Sequence, residues 1–338
     1  MDKRIYLDSG FLNIGYILHL PVPFIFCVGG RGTGKTYGAL KYVLDNGVNF
    51  GYMRRTQSQA DLINKPEFSP FKAISRDTGR EIVSVPITKY NAAFYDSEHD
   101  GDRLVPIGMP LGYTLALSTI SNLRGFDMSD VTLLIYDEFI PEKHERPLKN
   151  EASALFNAYE TINRNRELTG NKPLKVLCLA NANNIANPIF DELGIINKVY
   201  SMTQKGQVIS INESRGYAVI MLSESPISER KRDTALYRLT SGTEFSAMAI
   251  DNNYNVDYTN HSAINLIEYN PIFTVNDITV YRHKSASKLY ATNHISGGAI
   301  VLTDRIYKKR YRNYILDCDA NGAIEYENLA VKTKLLEI

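Results

Sequence analysis

The sequence predicts an α/β fold with a mostly parallel central sheet, and three stretches carry that prediction. Phe24-Ile25-Phe26-Cys27-Val28, Val131-Thr132-Leu133-Leu134-Ile135-Tyr136 and Lys175-Val176-Leu177-Cys178-Leu179-Ala180 are short apolar runs. They are followed respectively by a glycine-rich loop, by Asp137-Glu138 and by Asn181. Continuous apolar runs of this length fit strands buried on both faces, as parallel sheets require. Segments with apolar residues at helical spacing follow the first two.

The totals bound the rest. The chain has 338 residues, room for one large domain and a small one. Hydrophobic residues are 44% and charged residues 22%, enough apolar surface for a core. Formal net charge is +1, so contact with nucleic acid has to come from local patches. Cys27 and Cys178 lie in apolar runs and read as buried small hydrophobes. With Cys318 the count is odd and unclustered, which argues against a disulfide framework and for a reducing cytosol. Six scattered histidines give no zinc spacing. No apolar run approaches 18 residues, and neither a signal peptide nor a membrane span is expected.

Residues 1–23 precede the first core strand. Tyr6, Phe11 and Tyr16 read as packing residues first and as stacking partners of a nucleotide base second. Next comes Gly29-Gly30-Arg31-Gly32-Thr33-Gly34-Lys35-Thr36, which fits the P-loop pattern G-x-x-x-x-G-K-[ST] at every fixed position. A helix is expected after it, with Ala39, Tyr42 and Val43 on one face and Gly47 past its end. Glycines let the backbone curl around phosphate oxygens, and loop amides with the helix N-terminus face the anion. In such a loop Gly29 to Thr36 cradle the phosphates of ATP, Lys35 reaches the β- and γ-phosphates, and the Thr36 hydroxyl holds Mg²⁺. Arg31 either touches the γ-phosphate or pairs at the surface.

Val48–Met53 reads as a second strand, ending in Arg54-Arg55, which face either a ligand crevice or solvent. Glu81–Val85, Ala92–Tyr95 and Leu104–Ile107 look like a β insertion, followed by a strand over Tyr113–Ile120. Asp137-Glu138 at the end of an apolar strand is the Walker B form. There Asp137 serves Mg²⁺ and Glu138 positions or deprotonates the attacking water. Glu151–Glu167 reads as a helix ending in Asn163-Arg164-Asn165-Arg166. Those cations suit a helix C-terminus and also an arginine finger. Asn181 fits a polar sensor of the γ-phosphate, or a strand-end turn.

Past Ser225-Pro226 the character changes. The expected organisation is a P-loop domain over 1–228, a helical linker over 229–256 and a small domain over 257–338. Candidate strands of the last are Ala263–Tyr269, Ile278–Arg282, Lys288–Ala291 and Ala299–Leu302. Lys308, Lys309, Arg310 and Arg312 then interleave with Tyr307, Tyr311 and Tyr314. That mixture suits a nucleic-acid groove or a solvated helix face.

Neither Asn171-Lys172-Pro173-Leu174 nor Asn197-Lys198-Val199-Tyr200 completes the Asn-Lys-x-Asp run by which GTPases read guanine. Glu138 favours hydrolysis of ATP over phosphoryl transfer to an acceptor. Two further readings of these residues are a ring-forming helicase or remodeller, and a binding module switched by ATP without turnover.

The ordered set of motifs resembles the DNA-packaging (encapsidation) ATPases of phi29-like tailed bacteriophages. The likeness rests on Met1-Asp2-Lys3, Gly29-x-Arg31-Gly32-x-Gly34-Lys35-Thr36, Tyr52-Met53-Arg54-Arg55 and Tyr136-Asp137-Glu138-Phe139-Ile140. It continues through Asn163-Arg164-Asn165-Arg166-Glu167, Leu179-Ala180-Asn181-Ala182 and Gly242-Thr243-Glu244, and weakens beyond about residue 251. The resemblance implies an ATPase of the additional-strand, catalytic-glutamate class. It implies a homopentameric ring at the prohead portal in the host cytoplasm, on a packaging RNA in some relatives, that drives double-stranded DNA inward. It puts Arg164 in the place of an arginine finger acting in trans. It also implies a C-terminal domain like a shrunken RNase H-type nuclease without its metal site. The scattered Glu268, Asp277, Asp304 and Asp317 give no clear acidic triad, and DNA or portal contact would fall to Lys308, Lys309, Arg310 and Arg312.

Overall fold

The chain divides into two units, Met1–Asn184 with Met202–Asn255, and Ile185–Ser201 with Val256–Ile338. The computed structural model describes residues 3–101, 103–123, 125–142, 145, 148–181, 185–222, 225–243, 246 and 264–338. Much of the expected linker, 244–245 and 247–256, lies outside the described residues. Its first part forms two short helices, Pro226–Arg232 and Ala235–Leu239, grouped with the first unit. The segment Ile185–Ser201, expected in the P-loop domain, groups with the C-terminal residues instead. Lys334 pairs there with Asp191 at 3.9 Å.

In the first unit the strands are β1 (Phe24–Val28), β2 (Phe50–Arg54), β3 (Ile82–Pro86), β4 (Ala92–Asp100), β5 (Arg103–Ala116), β6 (Leu133–Asp137), β7 (Lys175–Ala180), β8 (Ile209–Asn212) and β9 (Tyr217–Met221). They form one sheet in the order β3-β4-β5-β2-β6-β7-β1-β9-β8. Every pairing from β5 through β9 is parallel, and β8 and β3-β4 close the two edges with antiparallel pairs. The central strands are buried along their length, as their unbroken apolar runs require. Register then decides where function can sit. Val28 lies beside Ala180, Asp137 beside Leu179, and Met53 beside Tyr136. The chain therefore leaves β1, β2, β6 and β7 at one common edge, where open α/β sheets bind their ligands.

Gly34 ends the loop after β1 with φ of 84°, a left-handed conformation open to glycine at little cost. From there the helix Lys35–Asp45 runs under the sheet and buries Ala39, Leu40, Val43 and Leu44. Beneath it Ile25, Cys27, Leu177 and Leu179 complete the core.

Several elements differ from expectation. Pro106 and Gly108 punctuate the sequence like a turn, yet Arg103–Ala116 is a single strand, with Pro106 paired opposite Ser97 in a hairpin with β4. A 3-10 segment, Leu117–Leu123, follows it. The helix expected over Glu151–Glu167 stops at Asn163, because Arg164 and Asn165 take φ of 45° and 58°. The β8-β9 hairpin is not among the expected strands, although Gly216 bounds a fully buried Tyr-Ala-Val-Ile-Met run.

The second unit carries β10 (Tyr269–Val275), β11 (Ile278–His283), β12 (Leu289–Thr292), β13 (Ile300–Leu302) and β14 (Ile324–Tyr326) in the order β13-β10-β11-β12-β14. The middle three are antiparallel and both edges add parallel strands. The strand expected over Ala263–Tyr269 starts only at Tyr269, after a 3-10 turn at Leu266–Glu268; Ala263 lies outside the described residues. Helices Asp304–Arg310, Arg312–Ala320 and Leu329–Glu337 supply Tyr307, Ile315, Val331 and Leu335 to a core with Phe273 and Val280.

One buried ion pair ties the first unit together. Arg55 follows β2 and is 1% exposed; its Nε donates to Glu151 Oε1 at 2.7 Å and its Nη2 to Oε2 at 3.2 Å. Tyr136 of β6 donates to the same carboxylate at 3.1 Å, and so does the Leu148 amide at 3.2 Å. A buried charge left without its partner is costly, whereas an exposed pair such as Lys41–Asp45 gains little from water. We expect Glu151→Ala to destabilise the unit by about 3–5 kcal/mol and Asp45→Ala by about 0.5 kcal/mol or less. Urea unfolding followed by circular dichroism measures both, and similar losses would contradict this ranking.

Candidate functional site

At the common edge the loop after β1 forms an anion cradle. The helix that follows it starts at a glycine with no side-chain cap, so its first-turn amides are left for a ligand. Lys35 is buried inside the loop. Its ammonium donates to the Gly29 and Gly30 carbonyls at 2.9 and 2.7 Å, and reaches Thr33 Oγ1 and Asn181 Oδ1 at 3.4 Å each. Removal from water pulls its pKa down to about 8. A phosphate oxygen offers such a cation what two carbonyl dipoles cannot, a full negative charge.

Next to the cradle lies Asp137, the buried last residue of β6. Its Oδ2 accepts from the Thr36 hydroxyl at 2.9 Å, the Tyr52 hydroxyl at 2.8 Å and Arg54 Nη1 at 3.2 Å. Burial, then the charge of Asp137, raises the Tyr52 phenol well above its usual pKa, which keeps it a donor. Tyr52 and Arg54 are two residues apart on β2 and so point to the same face. Thr36 and Asp137 together offer a hydroxyl and a carboxylate oxygen, hard donors of the kind Mg²⁺ takes. The residues present therefore fit that ion.

Glu138 turns the chain out of β6 with φ of 58° and is held by an ion pair to Arg54 Nη2. Arg54 thus links both acids of the strand end. Of the two arginines at the end of β2, neither sits in a solvated turn. Arg54 enters the crevice and Arg55 the buried pair with Glu151. Arg31 pairs with Glu142 outside the loop. Arg164 lies on the surface, donating to Asp127 Oδ1 at 2.9 Å and to the Phe126 carbonyl at 2.8 Å. Among the described residues it makes no contact with the loop or the acids. Arg54 takes the crevice alternative that the sequence left open, whereas Tyr52 and Glu142 have no site role in the sequence reading. The signal available for Tyr52 and Arg54 was a pair of polar groups at period two in a strand otherwise buried.

A groove of about 820 Å³ opens from the cradle and runs along the helix Lys35–Asp45, lined by Phe11, Gly34, Tyr37, Tyr42 and Asp77 among others. Phe11 is exposed there, while Tyr6 is buried and Tyr16 packs beneath the Arg4 guanidinium. In the second unit Lys308, Lys309 and Arg310 are exposed. The tyrosines between them do not form a stacking platform. Tyr307 is core, its hydroxyl donating to the Leu335 carbonyl at 3.0 Å, and Tyr311 packs on Phe273. Glu268 faces His283 and Asp277 accepts from Asn293; among the described residues no group of three or more His, Cys, Asp or Glu gathers as a metal site.

A sheet that inserts β7 between the loop strand and the acidic strand, with both strand ends facing one cradle, is the architecture of the P-loop NTPases with an additional strand. Within that class the family is plain: residues 1–276 match the Podovirus DNA encapsidation protein (Gp16) family, and the chain belongs to it. The DNA packaging proteins of Bacillus phages PZA and phi29 are each 27% identical over 263 residues, which cover 75% of this chain and 67% of theirs. That of Bacillus phage B103 is 28% identical over 237 residues, covering 68% of this chain and 63% of its own. In fold the chain is similar to a subunit of the bacteriophage phi29 viral genome packaging motor assembly, with a TM-score of 0.65 at 20% identity over 97% of this chain and 98% of that one. The phi28 gp11 DNA packaging motor gives 0.63 at 20% over 97% and 95%.

The buried ammonium makes stability depend on pH in a fixed direction. Unfolded, Lys35 keeps its proton to about pH 10.5; folded, it loses it near 8. Between those values the unfolded state binds more protons, so folding is favoured as pH rises. Relative to Lys35→Met, the wild-type chain should gain on the order of 3 kcal/mol between about pH 7 and about pH 10.5. Paired urea titrations at both ends measure it, and a pH-independent difference would refute the buried cation.

Proposed function

We propose that this chain is the ATPase of a viral genome-packaging motor, hydrolysing ATP to ADP and phosphate to move double-stranded DNA into a prohead. The observation that carries the reading is the contact between Thr36 and Asp137 beside a buried Lys35, with Glu138 at the same strand end. Gly29 to Thr36 wrap the phosphates. Lys35 leaves the Gly29 and Gly30 carbonyls for the β- and γ-phosphates. Thr36 and Asp137 hold Mg²⁺, which when bound neutralises phosphate charge. Glu138, freed from Arg54, orients the attacking water and takes its proton. Asn181, within reach of Lys35, meets the γ-phosphate, and Arg31 lies at the loop's outer side for the same group. The groove beside Phe11 and Tyr37 takes the base, since an aromatic-lined apolar slot continuous with the cradle suits a purine.

Glu138→Gln keeps the size and hydrogen-bonding shape of the side chain but removes the proton acceptor. Phosphate release should fall by roughly 10²–10⁴ with nucleotide binding retained. Wild-type turnover in that variant would remove Glu138 from the chemistry.

The active unit in this reading is a ring, a pentamer by resemblance, seated at the prohead portal with a packaging RNA in some systems. Arg164 supports it. The residue is exposed at the end of the helix Glu151–Asn163 and reaches no group of its own cradle among the described residues. A guanidinium supplied by a neighbour stabilises the charge that spreads over the γ-phosphate in the transition state, worth roughly 10³–10⁵ in turnover. The cations Lys308, Lys309, Arg310 and Arg312 are the proposed contact with DNA or portal. Arg164→Ala and Glu138→Gln should each be inactive yet partly restore hydrolysis when mixed, because one junction then holds an intact Glu138 and an intact Arg164. Absence of any gain under conditions where rings exchange subunits would count against action in trans.

A further inference from the structure

Beyond the residues assigned above, one cation lies on the phosphate loop. Lys231 belongs to the helix Pro226–Arg232, which is anchored at its start: Ser225 Oγ accepts from the Ile227 amide at 3.4 Å, and Ile227 is buried. The far end reaches the loop, where the Lys231 ammonium donates to the Arg31 carbonyl. A Cβ on Gly32 would lie 2.4 Å from Lys231 Nζ and 2.8 Å from its Cε, so the side chain rests directly on the loop backbone. The charge of Lys231 is felt by Lys35 and opposes it, and that of Arg31 opposes Lys231 in turn. Arg31 has Glu142 as its counter-ion. Among the described residues no carboxylate pairs with Lys231; the ring of Tyr237 lies 5.7 Å from its ammonium.

Three cations gathered on one loop repel one another, and a polyanion turns that repulsion into attraction. A bare lysine held against a carbonyl dipole gains more from a phosphate oxygen than it loses. We infer that Lys231 is a further triphosphate-binding residue, whose ammonium pairs with the phosphate chain and thereby holds the helix Pro226–Arg232 over the loop. The inference rests on the proposed ATP site and adds to it a contact from a segment after β9, remote in sequence from the loop.

The test is calorimetric titration of the full chain with MgATP and with MgADP, for wild type, Lys231→Met, Lys231→Arg and Lys35→Ala, each checked by circular dichroism. Lys231→Met should raise the Kd for ATP about ten-fold or more, the range of a lost charge-assisted hydrogen bond, and raise that for ADP less. Lys231→Arg should stay within about three-fold of wild type, since the charge is kept. A folded Lys231→Met that binds ATP like wild type overturns the inference. So does an equal loss in Lys231→Met and Lys231→Arg, which would assign the residue to packing. Loss of ATP binding in Lys35→Ala alone leaves the ATP site standing without Lys231. Failure of the wild-type chain to bind ATP overturns the reading beneath both.

Discussion

A carboxylate taken out of water sets the terms of this site. Asp137 is 4% exposed, and the penalty for burying such a charge runs to several kcal/mol unless donors surround it. Two hydroxyls and a guanidinium converge on its Oδ2, and the Glu138 amide donates to Oδ1 at 3.1 Å. The donors come from the P-loop helix, from β2 and from the turn after β6 itself. They meet only because parallel register brings the ends of β2 and β6 to the edge where the loop leaves β1. Sheet order and site are one constraint, since a slip of β2 by one residue would turn Tyr52 and Arg54 to the opposite face.

The cations are arranged less tightly than the anions. Asp137 is surrounded by donors, whereas among the described residues Lys35 has carbonyl oxygens, a hydroxyl and an amide as its close partners. Burial lowers its pKa, and the charge of Asp137 offsets that only in part. Such an arrangement favours a polyanion arriving with a divalent cation, because each fills what the resident residues leave open.

The local parts of this arrangement are legible in the sequence and the long-range parts are not. The loop, its flanking strand and helix, and the acidic strand end are each contiguous, so motif and apolar run identify them directly. The two arginines after Met53 show where that ends. Period two puts Arg54 and Arg55 on opposite sides, but which side holds a carboxylate depends on Asp137 and Glu151, 83 and 96 residues further on. Tyr307 and Tyr311 failed for a related reason. Among charged neighbours they read as a surface, whereas helical spacing turns them onto Phe273. The continuous β5 was hidden by Pro106, which the hairpin pairs opposite Ser97, and by Gly108, which takes φ of 73° at the register shift in the β4-β5 pairing.

Three arginines now separate by burial, and burial decides what each can do. Arg55 is enclosed with Glu151, so moving it would leave a buried charge unpaired, and its role is to fix β2, β6 and the start of the helix Glu151–Asn163. Arg54 is 14% exposed and divides its two amino groups between a buried and a half-exposed acid. It can release Glu138 while Asp137 holds it in place. Arg164 is 42% exposed, and its partner Asp127 is a solvated surface acid. Water replaces that contact at little cost. The backbone beneath Arg164 is by contrast firmly set. Asn163 is buried and accepts from the Leu174 amide at 2.8 Å, and two successive left-handed residues end the helix. Non-glycine residues persist in that conformation only where the surroundings over-determine them. A rigid mount under a loosely tethered guanidinium suits the action in trans proposed for Arg164. The helix that carries it begins at Glu151, so the same buried pair that orders the nucleotide edge also sets where Arg164 points.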